Sequence, residues 1–249
     1  MFDVIAFDAD DTLWHNETLF QSTARDFAAL LAGHHPPEWI QERLFATEMK
    51  NLRHFGYGIK GFTLSMIETA VELTEGRVTG AEVKTILGWG QGMLQAPIAL
   101  LDGVGETIAA LAGDHRLMLL TKGDLFDQES KLARSGLGEH FSAVEIVSEK
   151  NARTYATIMA RHRLSPAGFL MVGNSLRSDI LPVLDAGATA VHIPYATTWA
   201  HERVAEDAMT GRTFATLESI RELPAWLDRT AAAPRPTIGE TVPRKERLP

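Results

Sequence analysis

Short, almost continuously apolar runs recur along the chain at 4–7, 117–120, 144–147, 169–172 and 190–193. Each lacks the polar alternation of a half-exposed strand, which predicts strands buried on both faces of a parallel sheet. Between them, residues 106–113, 127–136, 152–162 and 178–186 carry helical spacing. Gly136 and Gly187 stand where helix C-termini are expected. Strands alternating with helices predict an α/β fold, a doubly wound parallel sheet with a Rossmann-like core. In such sheets ligands bind beyond the carboxyl ends of the strands.

Residues 17–96 break this rhythm. Phe20, Phe27, Leu30 and Leu31 recur at helical spacing, and Trp39, Ile40, Leu44 and Met49 follow the Pro36-Pro37 start. Phe62, Met66, Ile67, Ala70 and Val71 form a third stripe, and Val83, Ile86 and Leu87 a fourth. An all-helical domain inserted after the first strand is expected, with hinges at 14–16 and 95–101. The core is then discontinuous, 1–16 and 97–230. Residues 231–249, with four prolines and scattered charges, predict a flexible tail.

Composition narrows the function classes. With 45% hydrophobic residues the 249-residue chain can bury a sizeable core, which excludes disorder throughout. A net charge of −8 without a basic tract argues against binding nucleic acid through its phosphates. The absence of cysteine excludes disulfides, thiolate zinc sites and cysteine nucleophiles. No apolar run approaches the ~20 residues of a membrane-spanning helix. The N-terminus meets Asp3, Asp8, Asp10 and Asp11 at once, unlike a signal peptide, so a cytoplasmic location is expected.

The strongest chemical signal follows the first strand: Asp8-Ala9-Asp10-Asp11-Thr12. Three carboxylates within four positions repel one another unless something positive is present. The plain reading is a solvated acidic turn. The functional reading is a divalent-metal site with a carboxylate nucleophile. This stretch resembles the first motif, D-x-D-x-[TV], of the haloacid dehalogenase-like hydrolase superfamily. Thr121, ending an apolar strand, fits the second motif, and Lys150 the third. Gly173-Asn174-Ser175-Leu176-Arg177-Ser178-Asp179 fits the last, acidic motif. The motifs occur in order, each after a predicted strand. The resemblance runs from Met1 to roughly Pro224, with the inserted helices matching the cap of many members.

What the resemblance implies is specific. Asp8 would attack phosphorus and form an aspartyl-phosphate, with Mg²⁺ bridging it to the phosphate. Asp10 would be the general acid and then the base for water, with its backbone carbonyl on the metal. Thr121 would donate its hydroxyl to a phosphate oxygen, helped by backbone N–H groups near Lys122 and Gly123. Lys150 would hold Asp8 and the phosphate by charge. Asp179 would be a metal carboxylate. Asn174 departs from the aspartate of many members; it can still coordinate through its amide oxygen. Members that displace halide lack the second aspartate, so Asp10 favours phosphoryl transfer.

The cap segment 53–62, with three glycines, Arg53, His54, Lys60 and three aromatics, reads either as a turn or as a recognition loop in which Tyr57 or Lys60 touches the leaving group. Gly88-Trp89-Gly90-Gln91-Gly92 matches no phosphate-loop motif and reads as a weakened cap helix. Residues 195–202 could line the rim, with a packing role expected for Trp199. No histidines show HExxH spacing. The expected function is a Mg²⁺-dependent phosphatase of a small phosphorylated metabolite. A phosphomutase of the same superfamily and a non-catalytic binding or regulatory protein are the alternatives. A receiver-like signalling domain is disfavoured, since its phosphorylated Asp lies on a later strand and it has no inserted cap.

Overall fold

The computed structural model describes residues 2–232. Six strands form one parallel sheet: β1 (Val4–Phe7), β2 (Leu117–Lys122), β3 (Ala143–Val147), β4 (Phe169–Gly173), β5 (Thr189–His192) and β6 (Ala215–Thr216), in the order β3-β2-β1-β4-β5-β6. The first five match the predicted runs. The two-residue β6 escaped the sequence reading because an edge strand that short leaves no periodicity.

Both faces of the sheet are buried, as continuous apolar runs require. Ile5, Phe7, Leu119 and Val172 pack on one side against α5 (Val104–Asp114) and α9 (Leu223–Ala232). Val4, Ala6, Met118 and Met171 pack on the other against α7 (Ala152–Arg161) and α8 (Leu181–Asp185). Helix α6 (Leu125–Ser135) follows β2 and ends on Gly136 in the left-handed conformation, φ 74°. Among the described residues no helix is long and apolar enough to cross a membrane.

The expected helix over 178–186 is split. A wide turn over Leu176–Ile180, in which Ile180 N–H reaches back to Ser175 O at 3.2 Å, precedes the short α8. Pro182 sits in the first turn of α8, where its missing N–H costs nothing. Residues 231 and 232, the start of the expected tail, complete α9 instead; the rest of that expectation, 233–249, lies outside the described residues.

Four helices fill the segment between β1 and α5: α1 (Glu17–Leu30), α2 (Pro37–Phe55), α3 (Ile59–Leu73) and α4 (Gly80–Gln95). Phe27, Ile40, Leu44, Phe62, Met66 and Ile86 close a separate apolar core. Trp39, Val71 and Leu87, read as members of these stripes, are exposed. Adjacent helical residues lie about 100° apart, so the neighbours Ile40, Ala70 and Ile86 take the inward position instead. The glycine-rich 88–92 stretch is helical, as expected. A Cβ on Gly90 would collide with Thr63, so this glycine lets α4 approach α3 closely. The two connections at the foot of the block pair with each other: His15 N–H donates to Ala99 O at 3.0 Å and Leu101 N–H to Leu13 O at 2.9 Å.

Candidate active site

Asp8 is the first residue past β1, and its N–H donates to Val172 O at 2.9 Å. The Lys150 ammonium, fully enclosed, donates to Asp8 Oδ1 at 2.5 Å and to Asp179 Oδ1 at 2.7 Å. The other Asp179 oxygen accepts the Ser175 N–H at 3.0 Å. A Cβ on Gly173 would overlap the Asp179 carboxylate, which explains a glycine at the end of β4. The parallel sheet thus delivers residues separated by more than 140 positions to one point.

Two buried carboxylates share one ammonium in this cluster. Burial has the largest effect on Asp8. Lys150 opposes it, Asp179 and Asp10 add to it, and the carboxyl rises to about 7. Burial works against the Lys150 charge too, but the Asp179 and Asp8 carboxylates outweigh it and hold the amine above its ordinary pKa. The Thr12 hydroxyl lies 3.0 Å from Asp8 Oδ2 and 3.1 Å from Asn174 Oδ1, and with one proton it donates to one at a time.

Asp10 faces the same cavity, but its carboxylate is engaged elsewhere. It accepts from Trp14 Nε1 at 2.7 Å, from Gln128 Nε2 at 2.8 Å and from Lys131 Nζ at 3.1 and 3.2 Å. Lys131 also reaches Asn16 Oδ1 at 2.9 Å and Asp127 at 3.3 Å. Asp11 adopts φ 63°, a conformation aspartate tolerates better than most residues. Its carboxylate accepts the Asn16 and Glu17 N–H groups and so starts α1.

The remaining expected residues divide into two groups. Thr121 is buried with its hydroxyl 3.4 Å from Gln128 Oε1, and Lys122 and Gly123 also line the cavity. The Gly123 N–H turns to Val147 O at 3.4 Å rather than standing free for a phosphate. Lys122 bonds Ser178 at 2.9 Å, pairs with Glu202, and lies 4.3 Å from the centre of the Tyr57 ring. Tyr57 donates to Glu149 at 2.8 Å and meets the edge of Trp199. The segment 195–202 therefore does close over the rim, with Trp199 packed as expected. Lys60 is not brought to the cavity: it clasps Asp124, the N-cap of α6, at 2.9 and 3.0 Å. It ties the helical block to the sheet side.

Mg²⁺ takes oxygen ligands, keeps several waters and needs only one or two carboxylates. Among the described residues no group of three or more His, Cys, Asp or Glu side chains converges as a self-sufficient metal site. Asp8, Asp179 and the Asn174 amide nevertheless line one cavity. They are all hard oxygen donors, and the cluster is one positive charge short. That donor set fits Mg²⁺. The cavity, about 370 Å³, continues from Asp8 into the helical block.

Sequence reasoning missed Gln128 and Lys131, although they sit three apart on the helix after Thr121 and so share its inner face. Glu202 was read only as part of the rim segment 195–202; its pairing with Lys122 was not, since it lies on a long loop without periodicity. Burial opposes the Glu202 charge, but Lys122, Ser175 and Ser178 win and lower its pKa to about 2.

A crystal structure of a haloacid dehalogenase-like family hydrolase from Xanthomonas campestris is 40% identical, covers 92% of this chain and 91% of its own, and superposes with a TM-score of 0.81. A magnesium-bound hydrolase of this type from Bacillus subtilis, YfnB, shares the fold at 18% identity, with coverage of 91% and 99% and a TM-score of 0.64. So does a 2-haloacid dehalogenase from Pseudomonas syringae pv. Tomato, at 18% identity, coverage of 92% and 100%, and a TM-score of 0.59. N-acylneuraminate-9-phosphatase from Mus musculus is 29% identical over 130 residues, 49% of this chain; the match spans about half that protein, 52%. The family model for haloacid dehalogenase-like hydrolases matches residues 2–187, the span that carries Asp8, Thr121, Lys150 and Asp179, and the chain belongs to that family of hydrolases.

Proposed function

We propose that the protein is a phosphatase that hydrolyses a small-molecule phosphate monoester through an aspartyl-phosphate on Asp8, with Mg²⁺ as cofactor and residues 17–96 as a cap. The observation that carries this reading is Asp10. A second carboxylate faces the cavity beside the nucleophile, positioned by Trp14, Gln128 and Lys131. Phosphate esters need a proton delivered to the leaving oxygen; halide departure does not. The likeness to a phosphatase over 49% of the chain supports the same choice.

Asp8 attacks phosphorus as the leaving oxygen takes a proton from Asp10. Asp10 then accepts a proton from water as water displaces Asp8. Lys150 keeps the Asp8 oxygen aimed and balances charge near the phosphoryl group. Thr121 offers its hydroxyl to a phosphate oxygen, with Lys122 and Gly123 beside it on the same side of the cavity. Bound Mg²⁺, held by Asp8, Asp179, Asn174 and the Asp10 carbonyl, would neutralise phosphoryl charge. Burial of the site behind the cap excludes competing water.

The test is phosphate release over a panel of metabolite phosphates with Mg²⁺, beside halide release from 2-haloacids. Phosphate release that vanishes in Asp8→Asn is expected. Halide release alone, or equal phosphate release by Asp8→Asn, would overturn the reading.

A further inference from the structure

The cavity has two unlike walls. Its sheet side holds three lysines, and each is already committed: Lys150 to Asp8 and Asp179, Lys131 to Asp10 and Asp127, Lys122 to Glu202. Arg203 stands at the exposed rim. On the helical side, the lining residues from Asn16 to Ser65 include two carboxylates, Glu17 and Glu48, and no lysine, arginine or histidine.

Among the described residues neither carboxylate has a cationic partner. Glu17 accepts a neutral amide bond from Gln21 at 3.2 Å. For Glu48 there is no side-chain hydrogen bond or ion pair among the described residues. Burial raises Glu17 to about 7. Burial raises Glu48 to about 8, with the charge of Glu17 adding to the rise. Placing like charges in an enclosed space beside a phosphoryl site is unfavourable unless a positive charge arrives from outside the chain. The rest of this wall is apolar and includes Phe20 and Phe62, whose rings are 5.1 Å apart. Such rings also favour a cation.

We propose that the cap wall selects a phosphate monoester whose alcohol half carries a positively charged nitrogen, received by Glu48 and Glu17. This rests on the phosphatase reading and deepens it. The nitrogen enters the space between α1 and α2, while the phosphate stays at Asp8. An alcohol half bearing a carboxylate finds two acidic groups there and no base to hold it, whereas a cation stabilises their ionised form.

Three esters of similar size test the idea with the intact Mg²⁺-loaded protein: O-phosphoethanolamine, propyl phosphate and phosphoglycolate. The cationic ester should show the highest kcat/KM, by about tenfold over the neutral one, the size of one charge-assisted contact. Phosphoglycolate should be the poorest. Glu48→Gln and Glu17→Gln keep the shape and remove the charge, and each should lower the ratio of cationic to neutral kcat/KM by about tenfold. A wild-type protein that hydrolyses propyl phosphate as efficiently as O-phosphoethanolamine overturns the inference without touching the phosphatase reading. So does a ratio unmoved in both variants. If no ester releases phosphate, p-nitrophenyl phosphate included, the phosphatase reading has failed and this inference falls with it.

Discussion

Lys131→Met isolates the residue that holds Asp10. The methionine keeps most of the stem and removes the ammonium. In the native protein that ammonium is almost enclosed and contacts Asp10, Asp127 and Asn16. Removing one partner of a buried ion pair costs about 3–5 kcal/mol, because the other charge stays buried without compensation. Asp10 keeps 22% side-chain exposure and two other donors, but Asp127 is left buried without a charged partner, so the loss should reach at least the lower figure. For a chain of this size about 3 kcal/mol lowers the melting temperature by roughly 6–12 °C. Catalysis should change unevenly. A displaced general acid costs about 10²-fold or more where the leaving group needs a proton, as in an alkyl phosphate. p-Nitrophenolate leaves without one, so its release should fall far less. Thermal denaturation and kcat/KM for an alkyl and a p-nitrophenyl ester measure both effects. An equal fall for the two esters would refute the positioning role. An unchanged melting temperature would refute the buried-pair argument.

Asn174→Asp adds a charge to a cluster short of positive charge. It should retain activity and lower the Mg²⁺ concentration giving half-maximal rate; a large activity loss with metal still bound would contradict this. Glu48 holds its proton to about pH 8 when folded and to about 4.5 otherwise. The folded state therefore binds the extra proton, and stability from this group is lost as pH rises from about 4.5 to about 8. Glu48→Gln should flatten that slope and gain on the order of 2–4 kcal/mol over wild type above pH 8 in denaturant titrations. Parallel curves would show that the group is not buried in solution. Lys60→Ala breaks a half-exposed pair with Asp124; it should cost under about 1 kcal/mol and leave the order of preferred substrates unchanged. A reordered panel would bring Lys60 back to the leaving group.

The strands and motif positions were legible because each is a local property. A strand buried on both faces reads as an apolar run, and the residue after it lies at the sheet's carboxyl edge. Asp8 stands at such an edge directly; Thr121, Lys150 and Asp179 were named through the motifs the chain shares with its family, each near the end of a strand. Lys60 was legible as a cation near the site but not as a partner of Asp124. The direction of a long side chain depends on the acceptor that folding brings near. Trp39 and Leu87 failed differently: the stripe was real, but only packing decides which of two adjacent apolar residues turns inward.

Sequence alone determined the α/β class, the helices between the first and second strands, and the order of the motifs through which the chain resembles its family. It did so through periodicity and short-range order. The tertiary structure alone decided that Lys131, Gln128 and Trp14 take hold of Asp10, that Glu202 closes on Lys122, and that Glu17 and Glu48 line one cavity without a cationic partner among the described residues. Those are encounters between distant segments. Their energies depend on burial and on which charge lies opposite, neither of which is written in the local order of residues.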